Sequence, residues 1–337
     1  MEATKDLTRG GRAVKGVGKP NWIEGKTKII KPLNEKNNIH DTEYVKIITK
    51  DSLTANDGEK SVDTNLAKDK TSQTCNIFKY LKRRNIPVNF IKQESDTSFI
   101  AEKANMVPIE VVIRRKPYGS YLKRHPDTPS NHEFDPPLVE LFHKQAVVPP
   151  VEHCDNPHGL MPTTRIIPEG RARELYMKNG KWTHTVYTDP FINILEDGTH
   201  NLHPAKEKWP SEPLYTLPIL PFDSNMLSWV KWELARASFL ALEEAWKKFN
   251  IKLIDLKIEV GAVKPGLTSE GKDDENMFGP NQTDNIIICD VIDNDSWRIW
   301  PNGDPTLQLD KQSFRDGEDL SEVEKKYRIV TEYTKKF

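Results

Sequence analysis

The chain has 337 residues, enough for one large domain or two closely packed lobes with a cleft between them. Its 49 Lys and Arg balance 50 Asp and Glu, which excludes the global positive field that gathers nucleic acid or an anionic membrane surface, so any anion site must be local. No apolar run approaches the ~18 residues of a membrane-spanning helix, and neither nucleic acid nor membrane is expected as a partner. Three cysteines, Cys75, Cys154 and Cys289, are too few and too scattered for a disulfide framework, which points to a reducing, cytoplasmic location. Residues 1–20 contain Glu2 and Asp6 and no apolar stretch, and read as a flexible tail rather than a secretory signal.

Short β-prone runs at 22–30 and 44–49, separated by the turn-rich residues 34–41, predict a hairpin whose first strand carries Gly25, Lys26, Thr27 and Lys28. Residues 72–84 predict a helix with Ile77, Phe78 and Leu81 on one side, followed by strands at 88–91, 98–102 and 107–114. The stretch 145–184, dense in Pro, His and Gly, has no sustained period and reads as an inserted loop region. Residues 226–249 form the clearest helix, with stripes at Leu227, Val230, Leu234 and at Phe239, Leu242, Trp246. An alternating strand follows at 252–261, then a polar excursion, then the apolar strand 286–288, expected to pair with it around the excursion; a helix at 321–333 closes the chain. The sum is an α+β pattern. We divide it into a tail (1–20), a β-rich nucleotide-binding lobe (21–106) and an α+β substrate lobe (107–337) with an inserted region at 145–186 and an excursion at 264–285.

The strand over 252–261 places Asp255, Lys257 and Glu259 on one face and Ile254, Leu256 and Ile258 on the other. Alone, such a face is more often merely solvated. The next strand ends in Asp290, Asp293 and Asp295, and carboxylates gathered at the end of an interior strand suit a hard cation such as Mg²⁺, which takes one or two of them. Glu259 and Asp290 are the metal candidates, against the alternative of an Asp-rich turn that caps the next segment. Lys26 and Lys28 could neutralise nucleotide phosphates, and Arg114, Arg115, Lys123 and Arg124 around Gly119 and Ser120 suit a phosphate monoester. Neither a GxxxxGK[ST] loop nor a GxGxxG fingerprint is present.

Six runs, EGKTKII (24–30), KDSLTA (50–55), PIEVVIRR (108–115), GSYLKR (119–124), DLKIEVG (255–261) and DVIDNDSWRIW (290–300), stand in the order of the SAICAR synthetases, the phosphoribosylaminoimidazole-succinocarboxamide synthases. The resemblance spans 22–316 apart from the two insertions. Together with DKQSFRD (310–316) it looks most like the synthetase domain that animals fuse to a carboxylase. It implies a two-lobed fold with ATP in the cleft, and an ATP-dependent ligase of purine biosynthesis that joins carboxyaminoimidazole ribonucleotide (CAIR) to L-aspartate through an acyl phosphate. By the same resemblance Lys26 and Lys28 hold ATP phosphates, the segment from Met106 to Glu110 forms the adenine hinge, Glu259 and Asp290 hold Mg²⁺, and Lys257 sits beside them. Arg114, Ser120 and Arg298 bind the ribonucleotide, and Asp189 in TDPFIN lies near the substrates, so Lys257, Asp189 and Arg298 are the catalytic candidates. No protein nucleophile is required.

Two segments depart from the family pattern. A glycine-lysine pair is replaced by SVDTNLAKDKT (61–71), with Lys68 and Lys70 displaced, and an acidic segment is replaced by HKQAVV (143–148), followed by about 40 extra residues before Asp189. These keep two rivals open, a small-molecule phosphotransferase of similar fold and a weakened nucleotide-binding interaction module. His153, Cys154 and His158 match no common zinc spacing, and Trp297 and Trp300 read as packing residues. Oligomeric state is left open, since no repeat or exposed seam marks a self-complementary surface.

Overall fold

The computed structural model describes residues 21–34, 36, 38–39, 42–55, 60–150, 163–217, 224–263 and 286–337. The 264–285 excursion and the group His153, Cys154 and His158 lie outside them.

The first run does not form a single strand. Strand β1 (Ile23–Glu24) turns back on β2 (Lys28–Pro32), closed by a hydrogen bond from the Gly25 N–H to the Lys28 carbonyl at 2.9 Å. Lys26 is therefore in a turn, not two residues along a strand from Lys28. Strand β3 (Tyr44–Thr49) pairs with β2, helix α1 (Ala67–Arg83) follows, and β4 (Phe90–Ser95) and β5 (Ser98–Glu102) complete an antiparallel sheet ordered β1-β2-β3-β5-β4. Helix α1 starts five residues before its apolar stripe suggests, because Asp51 accepts from the Ala67 N–H at 2.8 Å and caps it from outside. Ile77, Phe78 and Leu81 are fully buried against the sheet, with Phe78 edge-on to Phe99 at 6.4 Å.

The second sheet is built from β6 (Ala104–Arg114), β7 (Leu138–His143), β8 (Phe191–Ile194), β9 (His200–His203), β10 (Tyr215–Leu217), β11 (Ile251–Val263) and β12 (Ile286–Cys289), ordered β10-β9-β8-β7-β6-β11-β12. Strand β12 pairs with the second half of β11, as the apolar runs predict, and β13 (Trp297–Pro301), for which no strand is expected, pairs with its first half. The expected lobe boundary after 106 falls inside β6. Helix α2 (Ser120–Arg124) stands beside β6 in sequence, and α3 (Glu169–Tyr176) lies in the inserted region.

That region is more ordered than its composition suggests: Ala146–Val148 pairs with Arg165–Ile167 and Tyr187–Thr188, and a small hairpin follows α3. Strands of two or three residues are too short to show a period. The long helix runs from Ser224–Trp229 through a π-helical turn, Val230–Ala235, into α4 (Arg236–Lys247). Trp246 is fully buried and meets Trp297 at 5.3 Å and Phe337 at 4.8 Å, so Trp297 is a packing residue. Helix α5 (Leu320–Thr334) closes on α1, where Gln73 donates to the Tyr327 carbonyl at 2.9 Å.

Gly261 lies where β11 is squeezed between β6 and β12. A Cβ there would stand 2.9 Å from the Ala104 Cβ, 3.1 Å from the Cys289 Sγ and 3.2 Å from the Asn105 carbonyl. Gly261→Ala is expected to cost ~1–3 kcal/mol by overpacking, measured as a lower urea midpoint at an unchanged m-value.

Candidate active site

Strand β11 organises the site. Asp255, Lys257 and Glu259 share a face, as alternation requires, while Ile254, Leu256 and Ile258 are buried on the other. The charged face is not a solvated one, since Asp255 and Glu259 are themselves buried. Glu259 stands opposite Glu110 of β6 and Cys289 of β12. It accepts from the Lys144 Nζ at 2.6 Å, and the Lys257 Nζ, 3.9 Å away, donates to Glu110 at 2.9 Å. Burial pushes the Glu259 carboxyl up, but Lys144, Lys257 and Lys28 together hold it below the usual carboxylate range. Burial pulls the Lys257 ammonium down, and Glu110 and Glu259 more than offset this and raise it.

Asp290 follows β12 directly, in a left-handed conformation with φ of 66°, which Asp tolerates better than most residues. It forms an ion pair with Lys28 of β2, so the first sheet meets the second at this carboxylate. Glu259 and Asp290 thus flank Lys28. Lys26 is placed apart, exposed in its turn and 3.3 Å from Glu169 of α3. Met106 is exposed in β6 opposite Gly261, and the segment from Met106 to Glu110 is part of a paired strand, with Glu110 joined to the lysine cluster. Asp189, with φ of 45°, lies within electrostatic reach of Lys257.

The donor set fits Mg²⁺. That ion takes one or two carboxylates and fills its shell with water and phosphate oxygens, and two are supplied by Glu259, paired with Cys289, and by Asp290, the residue after that partner. Among the described residues no three acidic, His or Cys side chains form a closed metal cage, so a cation here needs further oxygens from a ligand.

At the other end of the charged face, Arg114 donates to Glu140 at 2.6 Å, to Asp255 at 2.9 Å and to the Ser120 Oγ at 3.2 Å. Arg298 of β13 shares the same Asp255 oxygen and stacks on Tyr118 at 4.6 Å, and Arg124 binds Glu140. Three guanidinium groups therefore bond two carboxylates, and Asp310 lies within electrostatic reach of Arg298 as a third. Burial pulls Arg298 down, and Asp255 with Asp310 reverses the shift. Gly119, with φ of 59°, brings the backbone against Arg298, where a Cβ would meet the NH2 at 3.1 Å. Arg115 and Lys123, grouped with these cations in the sequence, lie elsewhere: Arg115 points to the opposite face and holds Glu243 of α4 at 2.7 and 2.8 Å, and Lys123 is exposed.

Asp295 does not join Asp290, whereas Asp293 lies within electrostatic reach of Lys28. Asp295 accepts from Lys70 at 3.0 Å, Lys311 at 3.1 Å and the Tyr327 hydroxyl, tying α1 to α5. Burial pushes Asp295 up, and the two lysines outweigh it and hold it low, while Asp293 is raised by burial and by Asp295. Lys70 is thereby a buried structural cation, and Lys68 an exposed partner of Asp96 at 2.7 Å. Lys144, inside the departing 143–148 segment, is the site residue that sequence reasoning passes over, since a lone lysine after a strand carries no signal.

The family model for SAICAR synthetase matches residues 21–151 and 275–333, more than half of the chain. The chain belongs to the SAICAR synthetase family. With that membership comes ATP-dependent carbon–nitrogen ligation in purine biosynthesis. The chain is 33% identical over 293 residues to the bifunctional purine synthesis protein purC/E of Dictyostelium discoideum, covering 87% of this chain and 22% of that protein. It is 29% identical to a phosphoribosylaminoimidazole-succinocarboxamide synthase of Chloroflexus aurantiacus, covering 92% of this chain and 94% of that one. A SAICAR synthetase solved in complex with ADP superposes with a TM-score of 0.61 at 24% identity, over 94% and 98% of the two chains, which bears on the fold. The two-lobed α+β family fold expected from the six motifs is borne out.

Proposed function

We propose that the chain condenses CAIR with L-aspartate at the expense of ATP, giving SAICAR, ADP and phosphate, and that the face of β11 is where it does so. The observation that carries this reading is that one strand bears both clusters. Asp255 and Glu259 are four residues apart, about 13 Å along a strand, a span suited to a small ribonucleotide held by its phosphate at one end and its reactive carboxylate at the other.

In this reading Arg114, Ser120 and Arg298 take the ribonucleotide phosphate, which suits forked guanidinium donors beside a hydroxyl. Lys28, with Lys26 at the cleft edge, takes ATP phosphates, and the strand from Met106 to Glu110 borders the adenine. Mg²⁺ held by Glu259 and Asp290 supplies charge neutralisation on the nucleotide phosphates. For the metal and the triphosphate to bind, Lys28 and Lys144 must transfer from carboxylate to phosphate oxygens. Lys257, kept charged by Glu110 and Glu259, orients the carboxylate that attacks the γ-phosphorus; the bond to the β-phosphate oxygen breaks and ADP leaves. The aspartate amine, placed near Asp189, then attacks the acyl carbon, losing its proton as inorganic phosphate departs. Alignment of three reactants and electrostatic stabilisation supply the acceleration.

Among the described residues no helix is long and apolar enough to cross a membrane, and the free, buried thiols of Cys75 and Cys289 suit a reducing cytoplasm. The deciding experiment is a coupled assay with ATP, Mg²⁺, CAIR and single amino acids. ADP release that needs both CAIR and aspartate is the expected result. Release without aspartate, with phosphate left on the acceptor, indicates a phosphotransferase, and nucleotide binding without turnover indicates an interaction module.

A further inference from the structure

On the back of the second sheet, away from the β11 cluster, a cavity of about 360 Å³ opens between the loop that leads into β7 and the π-helical turn. Val139 lines it, whereas the next residue, Glu140, faces the arginine cluster, so alternation along β7 puts the two sites on opposite faces. The volume is at the lower end of the ~300–1,000 Å³ typical of small-molecule pockets.

Two cations meet here without a carboxylate partner among the described residues. Residues five apart diverge by about 140° around an α-helix. A π turn, bonded i to i+5, brings them back to one side, and Lys231 and Arg236 both line the cavity. Lys231 is half-buried and has no hydrogen bond or ion pair among the described residues. Burial, then Arg236, pushes its ammonium below the ordinary value. Arg236 spends one N–H on the Pro137 carbonyl at 3.2 Å and lays its guanidinium over Trp232 at 3.9 Å. The acidic residues on the rim are already engaged: Glu133 by Lys252 and Lys116, and Asp135, 3.6 Å away, by Arg115. Glu233 of the same turn is exposed and does not line the cavity. Unpaired charge in a half-buried site is costly, and π turns gather at functional sites. Phe134 and Trp232, half-exposed, add aromatic surface.

We propose that this cavity is a second binding site, for a small organic phosphate monoester carrying a planar ring, of the nucleoside monophosphate kind. The Arg236 fork and the Lys231 ammonium match a dianionic phosphate, and the aromatic wall matches the ring. The site is independent of the cleft and of the reaction assigned to it.

Photolabelling of the full chain with 8-azido-AMP, followed by peptide mapping, tests this. Label is expected on peptides from 125–143 or 224–247, with a loss of about tenfold or more in Lys231→Met and in Arg236→Gln, the scale of one charge-assisted phosphate contact, and no loss in the cleft variant Arg114→Met. Ligand-free Lys231→Met is expected to melt higher than wild type, because it removes an uncompensated charge. Label confined to cleft peptides, or label insensitive to both cavity variants, overturns the proposal. Inorganic phosphate that competes as well as AMP overturns the assignment of a ring.

Discussion

Glu259→Ala and Asp290→Asn are each expected to lower kcat by roughly 10²–10³-fold or more, the scale on which active sites lose single electrostatic stabilisers. The two substitutions act by different routes. Removing Glu259 takes away the carboxylate that Lys144 bonds and that Lys257 and Lys28 both feel, so the cations that should reach for phosphate repel one another more strongly. Asn at 290 keeps a side chain that accepts the φ of 66°, so it removes charge with little backbone strain, whereas Ala would add strain. Initial rates at saturating ATP and CAIR across a Mg²⁺ titration measure the effect. Losses that excess Mg²⁺ partly restores in Asp290→Asn would tie the carboxylate to the ion, and near-full activity in both variants would remove the metal assignment.

What the sequence made legible was periodic or ordered. Alternation alone put Asp255, Lys257 and Glu259 together, and the apolar run at 286–288 placed Asp290 beside them by pairing. Contacts that depend on chain reversal or long-range packing were not legible. The turn at Gly25 separates Lys26 from Lys28, although the EGKTKII run reads as one strand. Three aspartates within six residues look equivalent, yet Asp290 faces Lys28, while Asp295 faces Lys70, which comes 225 residues earlier. Lys144 reaches Glu259 only because β7 ends level with the middle of β11, two strands away, through β6. The π turn is equally hidden, since Leu227, Val230 and Leu234 fit an ordinary helical stripe.

Asp255→Ala is expected to be the most destabilising single change in the site, by ~3–5 kcal/mol, because it leaves a buried charge without its partner. Asp255 accepts from both Arg114 and Arg298 through one oxygen. Without it, Arg114 and Arg124 share Glu140 and Arg298 keeps only the electrostatic reach of Asp310, so the cluster gains one uncompensated positive charge. Typical domains hold only ~5–15 kcal/mol in all, so the variant should lose a large share of its stability, read as a fall in urea midpoint. That uncompensated charge gives a second readout. A phosphate monoester replaces part of the missing negative charge, so CAIR or inorganic phosphate should raise the melting temperature of Asp255→Ala more than that of the wild type. Arg298→Met should behave in the opposite way: with Asp255 then shared by one arginine, stability falls less and the added anion stabilises little. A loss under ~1 kcal/mol in Asp255→Ala, or an equal response of all three proteins to phosphate, would mean that the arginines are held by packing around Gly119 and Tyr118 rather than by the carboxylate.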